Sequence, residues 1–231
     1  MKRLLLFSMT FFLTVSLSSL NSVARAGGEE VMKVESAIHV LDEIMSIPET
    51  CIPPSLLNDA YGIAIFPGLL KAGFILGGRY GVGILSVRNE NRNWSNPVFF
   101  KLMGGSLGWQ IGAQSSDVIL VFKTIRSLDS ITSGKFTLGA DASAAAGPVG
   151  RHAEASTDLQ LKAEIYSYSR SRGLFAGVSL EGSSIQVDEK SNSAFYGMAG
   201  LTPMQIFTNN TIQAPAVAED FKRALAKYAN P

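Results

Sequence analysis

The chain holds one cysteine, Cys51, so no disulfide can form within it. It holds two histidines, and no CxxC, HExxH or EF-hand pattern occurs in it. The common transition-metal frameworks are thereby excluded, and no metal or other cofactor is expected. Charge of either sign is not in surplus: 20 Lys and Arg stand against 19 Asp and Glu, a formal net charge of +1. A near-neutral chain has no global pull toward nucleic acid, so none is expected as a partner. Apolar runs of membrane-spanning length are missing after residue 26. Stability must therefore come from a hydrophobic core, and the chain is long enough to bury one. Cys51 lies between Thr50 and Ile52-Pro53-Pro54 and reads as a packed thiol rather than a nucleophile.

What is present begins with a leader-like segment. Lys2 and Arg3 form a basic start, Leu4 to Leu20 is apolar with Ser and Thr interspersed, and Ala24-Arg25-Ala26 precedes Gly27. This is the layout of a secretory signal peptide over 1–26, cleaved after Ala26. No cysteine follows the apolar run, which argues against a lipoprotein anchor; an uncleaved membrane anchor is the alternative. Removing Lys2, Arg3 and Arg25 takes the formal charge from +1 to −2. The expected location is periplasmic or secreted. The remaining 27–231 read as one domain, with a helical segment over 29–60, a β-rich core over 61–197 and a C-terminal helix at about 215–229.

Periodicity supports that division. Val31, Val34, Ile38, Leu41 and Met45 recur at three- and four-residue spacing, which predicts an amphipathic helix over Glu29–Ile47 that ends at Pro48. Its apolar face is expected to pack on the domain, with insertion into a lipid interface as the alternative. His39 lies off the stripe. A short second helix is expected over Ser55–Ala60. Strands are predicted at Gly62–Pro67, Ala72–Val87, Val98–Met103, Asp117–Thr124, Phe136–Ser143, Glu164–Ser169 and Leu174–Val187. Asn89–Asn96 reads as a polar loop and Asp188-Glu189 as a solvated turn. Val217, Phe221, Leu225 and Tyr228 mark the final helix. The fold class is α+β: a curved, glycine-rich, mostly antiparallel and barrel-like sheet with flanking N- and C-terminal helices. A small outer-membrane barrel is disfavoured by the glycine-broken strands and the terminal helix.

The stretch from Gly134 to Glu154 is the most unusual. Nearly every residue from Gly139 to Gly150 is small, which lets other backbone approach closely. Asp141 sits among the alanines. If buried, it must be paired or hydrogen-bonded, so it is expected to act as a structural acid.

Catalytic signatures are weak. Gly104-Gly105-Ser106-Leu107-Gly108 matches G-x-S-x-G, and Asp117, Asp129 or Asp141 and then His152 follow in hydrolase order. A nucleophile elbow needs strand, sharp turn and helix, whereas a further strand follows here. Ser106 reads as a small turn residue, with a serine hydrolase as the alternative. Ser133-Gly134-Lys135 fails as a phosphate loop, because Asp129 stands where glycine is needed and Phe136 where Ser or Thr is needed. Gly77 to Gly83 is glycine-rich without completing G-x-G-x-x-G. No enzymatic activity is expected.

A set of motifs stands in fixed order: Gly62-Ile-Ala-Ile-Phe-Pro67, Lys71-Ala-Gly-Phe74, Gly104-Gly-Ser106, Gln110-Ile-Gly-Ala-Gln114, Gly134-Lys-Phe136, Gly139-Ala-Asp-Ala-Ser143, Ala146-Gly-Pro-Val-Gly-Arg151, Ser167-Tyr-Ser-Arg170, and Arg172 to Gly182. Together they resemble the SYLF domain family, a lipid- and actin-binding domain of endocytic adaptors, over about Leu56 to Gly197. The resemblance implies a non-enzymatic binder of phosphoinositide-type, anionic lipid or membrane surfaces. Actin is the other partner it implies, which an exported chain does not ordinarily meet. A protein-interaction or envelope-structural module is the alternative. Lys71, Arg79, Lys135, Arg151, Arg170 and Arg172 lie within or beside these motifs and are the candidate lipid-binding residues, since Arg and Lys hold phosphate. The alternative for each is a scattered surface charge, with Arg151 or Lys135 pairing Asp141.

Overall fold

The computed structural model describes residues 27–132, 134–150, 162–171, 173–209 and 211–229; within these, the side chains of 73–76 and 106–113 fall outside the description. Arg151, His152 and Arg172 fall outside it altogether, so the site expectations on Arg151 and Arg172 lie beyond the described residues.

Helix α1 covers 27–45. Its buried face is Val34, Ala37, Val40, Leu41 and Ile44, with Val31, Ile38 and Met45 packed beside it. Burying a side chain of this size contributes about 1.5–3 kcal/mol, so this face belongs to the core. The lipid-insertion alternative for α1 is corrected accordingly. His39 is exposed, 3.8 Å from Glu43 one turn on. Helix α2, Pro54–Asn58, starts on a proline and buries Leu56 and Leu57. Cys51 is buried, its thiol donating to the Pro48 carbonyl at 3.4 Å.

Among the described residues the sheet has seven strands and is antiparallel except where β4 lies parallel to β5. Strands β1 (Gly62–Val87) and β2 (Val98–Phe122) form one long hairpin closed by the 88–97 loop. The strands expected at Gly62–Pro67 and Ala72–Val87 are therefore two limbs of one strand, joined across a bulge between Phe66 and Leu69. Those expected at Val98–Met103 and Asp117–Thr124 are likewise the ends of one strand. Ser106, expected in a turn, pairs with Gly77 inside β2. Strands β3 (Lys135–Thr137), β4 (Ala144–Ala146), β5 (Ile165–Ser171), β6 (Leu174–Gly177) and β7 (Ser184–Val187) complete the sheet. Strand β7 bridges β3 to the start of β2, and β5 joins the end of β2 to β4 and β6.

The hairpin doubles back on itself. A Cβ placed on Gly81 would lie 2.7 Å from a methyl of Leu69, and one on Gly83 would lie 2.4 Å from the Ile65 carbonyl oxygen. Only glycine lets the returning limb of β1 cross its outgoing limb this closely. The Arg88 amide then donates to the Tyr61 carbonyl at 2.8 Å, fastening the ends of β1 together. Both limbs are buried on both faces, through Ile63, Ala64, Ile65 and Phe66 on one and Ile84 and Leu85 on the other.

The small-residue run meets a similar need. A Cβ on Gly147 would lie 2.0 Å from the Tyr168 ring, and one on Gly177 would lie 2.1 Å from the Gly147 carbonyl. Asp141, however, is exposed: after β3 the chain turns, and the Asp141 carboxylate accepts from the Thr137 amide at 2.6 Å while its own amide donates to the Thr137 carbonyl. The strand expected over Phe136–Ser143 stops at Thr137, and the condition of burial is not met: Asp141 is an exposed acid hydrogen-bonded within its turn.

The remaining helices close the ends. Helix α3, Ile125–Thr132, buries Leu128 and Ile131. Helix α4, Glu189–Tyr196, replaces the solvated turn expected at Asp188-Glu189: Asp188 is its buried N-cap, accepting from the Ser191 amide and pairing with Lys101 at 3.0 Å. Helix α5, Pro203–Thr208, carries a Thr202–Gln205 capping box. Helix α6, Ala216–Ala229, buries Val217, Ala218, Phe221, Ala224, Leu225 and Ala229. Among the described residues, no helix is long and apolar enough to cross a membrane.

Candidate functional site

Where the hairpin doubles over, residues 70–80 of β1 and 104–115 of β2 stand beyond the crossing point of the two limbs. Among the described residues β2 pairs here with β1 alone, because the ladders to β7 and β5 cover Phe100–Met103 and Asp117–Phe122. This elbow carries two charged residues, Lys71 and Arg79, both cationic, and no carboxylate. Lys71 stands opposite Gln114 on the outgoing limb, and Arg79 stands opposite Gly104 on the returning limb. Both are half-buried; Leu70 and Tyr80 beside them are 55% and 47% exposed. Burial lowers the Arg79 pKa, and its Nε has no hydrogen-bond partner among the described residues. An under-satisfied guanidinium can still donate to an anionic oxygen.

The foot of the elbow is built from charge. At the Pro67-Gly68 bulge, the Gly68 amide donates to Asp117 Oδ1 at 3.0 Å and Lys33 Nζ of α1 donates to the Pro67 carbonyl at 3.4 Å. Burial lowers the Lys33 pKa, against the opposing pull of Asp117. Arg170 of β5 reaches Asp117 at 3.1 Å and Glu43 of α1 at 2.5 Å. The hydrogen bond from Arg170 holds the Glu43 carboxyl below its ordinary range, with burial opposing, and Glu43 in turn raises Arg170. One residue further along β5, Ser171 accepts from Gln114 Nε2 at 2.6 Å. The bulge is thereby tied to α1, β2 and β5 at once.

Three of the sequence-predicted cations thus gather at the elbow: Lys71 and Arg79 on it, Arg170 at its foot. Arg170 is engaged by two carboxylates. Lys135 is exposed on β3, across β7 from Lys101, and does not join them. Lys33 and Glu43 were not legible as site residues in the sequence, and Asp117 stood out only as a possible hydrolase acid, since their partners lie far along the chain and no local motif marks them here.

Away from the elbow, a cleft of ≈ 480 Å³ is lined by Tyr61, Ile125, Leu128, Met204 and Phe207, with Arg88 on its wall. Burial lowers the Arg88 pKa to about 10. Its guanidinium donates to the Asn58 and Ala229 carbonyls and lies 4.6 Å from the Trp94 ring centroid, tying α2 and α6 to the hairpin loop. Among the described residues, no cluster of His, Cys, Asp and Glu could hold a metal ion.

Residues 103–228 match a family model described as Ysc84, Las17-binding protein actin regulator. Among curated proteins, "LAS seventeen-binding protein 3" of Saccharomyces cerevisiae is 37% identical over 174 residues, 74% of this chain and 38% of that protein. "SH3 domain-containing YSC84-like protein 1" is 34% identical in Xenopus laevis over 205 residues, 85% of this chain and 61% of that protein. The Homo sapiens protein of the same name is 34% identical over 202 residues, 86% of this chain and 58% of its own length. The chain therefore spans between 38% and 61% of the length of these relatives.

Proposed function

Because the chain belongs to the Ysc84 family, whose description and one of whose relatives name a binding role, we propose that it is a non-enzymatic module that binds anionic lipid surfaces. The observation that supports this is the elbow: Lys71 and Arg79 stand on a stretch of ribbon, 70–80 with 104–115, that carries no carboxylate, on a chain that is otherwise near neutral. Such a local excess of cations is attracted to an anionic leaflet, at about 1 kcal/mol per charge near the surface. Arg170 contributes indirectly, by fixing the bulge from which the elbow rises. A hydrolase reading finds no support in the backbone, since β2 runs on to Phe122 where a nucleophile elbow would turn into a helix.

Export is part of the proposal and rests on the signal-like layout of residues 1–26. The intact mass of the periplasmic or secreted protein is expected to correspond to a chain starting at Gly27. A mass that includes the leader would overturn export without touching lipid binding.

The family description favours a second reading, docking to a protein partner, because it names Las17 binding and actin regulation. Vesicle flotation separates the two. Vesicles containing phosphatidylglycerol or a phosphoinositide are expected to carry the protein up a density gradient at low salt. Neutral phosphatidylcholine vesicles are expected to carry less. Binding should weaken as salt rises, because screening shortens the reach of surface charges. Absence of flotation on every composition would leave the protein-docking reading.

A further inference from the structure

We infer that the elbow of the β1–β2 hairpin is a wedge that enters the acyl region of one leaflet, with Lys71 and Arg79 as its headgroup collar. The inference rests on the lipid-binding reading above and adds where, and how deeply, the chain meets the membrane.

The order of residues along the ribbon carries it. The cations and Tyr80 lie near the crossing of the limbs, Lys71 opposite Gln114 and Arg79 opposite Gly104. Between them the outgoing and returning stretches read Ala-Gly-Phe-Ile-Leu-Gly-Gly over 72–78 and Gly-Ser-Leu-Gly-Trp-Gln-Ile-Gly-Ala over 105–113, with no charge in either. An uncharged, largely apolar tip above a collar of cations and an interfacial tyrosine is the layering a bilayer selects. A soluble phosphate would account for the collar alone, whereas a bilayer accounts for the cationic collar and the uncharged tip sequence together, which is why the occupant is a bilayer.

A two-stranded ribbon is at best marginally stable alone in water. This one has no third strand beyond its foot among the described residues. Depth follows from length. From Leu70 to Ile75 a strand rising about 3.3 Å per residue reaches roughly 17–20 Å, enough for one leaflet and short of the hydrocarbon core of about 30 Å. Nor does α1 compete for this role, since its apolar face is in the core.

The two tryptophans make the test direct. Trp94 is 7% exposed beneath Arg88 in the hairpin loop, whereas Trp109 lies on the elbow. Vesicles of 70% phosphatidylcholine and 30% phosphatidylglycerol, with bromine on the acyl chains, quench only indoles that reach the hydrocarbon. Wild-type protein is expected to float on these vesicles and lose part of its fluorescence. Trp109→Phe is expected to float while the remaining Trp94 emission stays unquenched. Lys71→Gln with Arg79→Gln is expected to weaken binding about thirtyfold at low salt, with the gap narrowing as salt rises. Circular dichroism checks that each variant is folded.

Flotation without quenching in the wild type would overturn insertion and leave surface binding standing. Quenching that persists unchanged in Trp109→Phe would also overturn the elbow as the inserted part. Equal low-salt binding of the double variant and the wild type would remove the collar. No wild-type flotation would overturn both the lipid-binding reading and the wedge.

Discussion

A Cβ on Gly83 would lie 2.4 Å from the carbonyl oxygen of Ile65, a residue earlier in the same strand. The whole elbow depends on that approach, because it is where the returning limb of β1 crosses the outgoing one. Gly83→Ala must push the limbs apart or bend one of them, and forced overpacking typically costs about 1–3 kcal/mol. For a domain of this size each kcal/mol lowers Tm by about 2–4 °C. Gly78→Ala is the control, since its Cβ would meet nothing nearer than 4.0 Å and its effect should stay within about 0.5 kcal/mol. Thermal denaturation followed by circular dichroism reads both variants. Equal Tm values would show that the crossing tolerates a methyl group.

Arg170 should behave as a structural residue with an acid-dependent signature. Its hydrogen bond lowers the Glu43 pKa, and the Tyr228 hydroxyl, followed by Lys227, lowers that of Asp42 on the same helix. Carboxyls with folded pKa values below their unfolded values of about 4 stabilise the fold at higher pH. That stabilisation is lost as pH falls through the folded values. Wild-type Tm is expected to be level from about pH 7 to 5 and to drop below about pH 4. Arg170→Met leaves Asp117 and Glu43 without their shared partner. It should lower stability at pH 7 by about 1–3 kcal/mol and make the acid drop shallower.

The same variant separates structure from binding. Because two carboxylates already occupy Arg170, Arg170→Met should change vesicle affinity by less than about twofold where the protein remains folded. A tenfold, salt-sensitive loss in flotation would place Arg170 among the lipid contacts.

Asp141→Ala should cost little. The carboxylate is exposed and accepts one backbone hydrogen bond, from Thr137 at 2.6 Å. Losing a single local bond in a turn is worth about 0.5–1.5 kcal/mol. Urea denaturation gives the number. A loss above about 3 kcal/mol would mean that the acid is held by more than its turn.

Much of the fold was legible in the sequence because it depends on local patterns. The stripe of α1 and that of α6 follow from three- and four-residue spacing, and Pro48 and Pro54 mark helix ends through the geometry of the proline ring. The small-residue run also announced close packing, which Gly147 makes against Tyr168. Of the site, Lys71 and Arg79 could be named as cations beside glycines, but not as neighbours across one elbow.

What the tertiary structure decided is how distant segments meet. The continuity of β1 and β2 was hidden because their limbs are buried on both faces, which erases the period-two alternation that marks a half-buried strand. The Pro67-Gly68 bulge then looked like an end. Asp188 looked solvated because its partner, Lys101, stands on another strand, and Arg170 looked free because Glu43 and Asp117 reach it from a helix and a neighbouring strand. For Asp141 the small neighbours left burial open, and a turn put it in solvent. A sequence sets local propensity and composition residue by residue; which charges pair and which limbs cross is set only when the chain closes on itself.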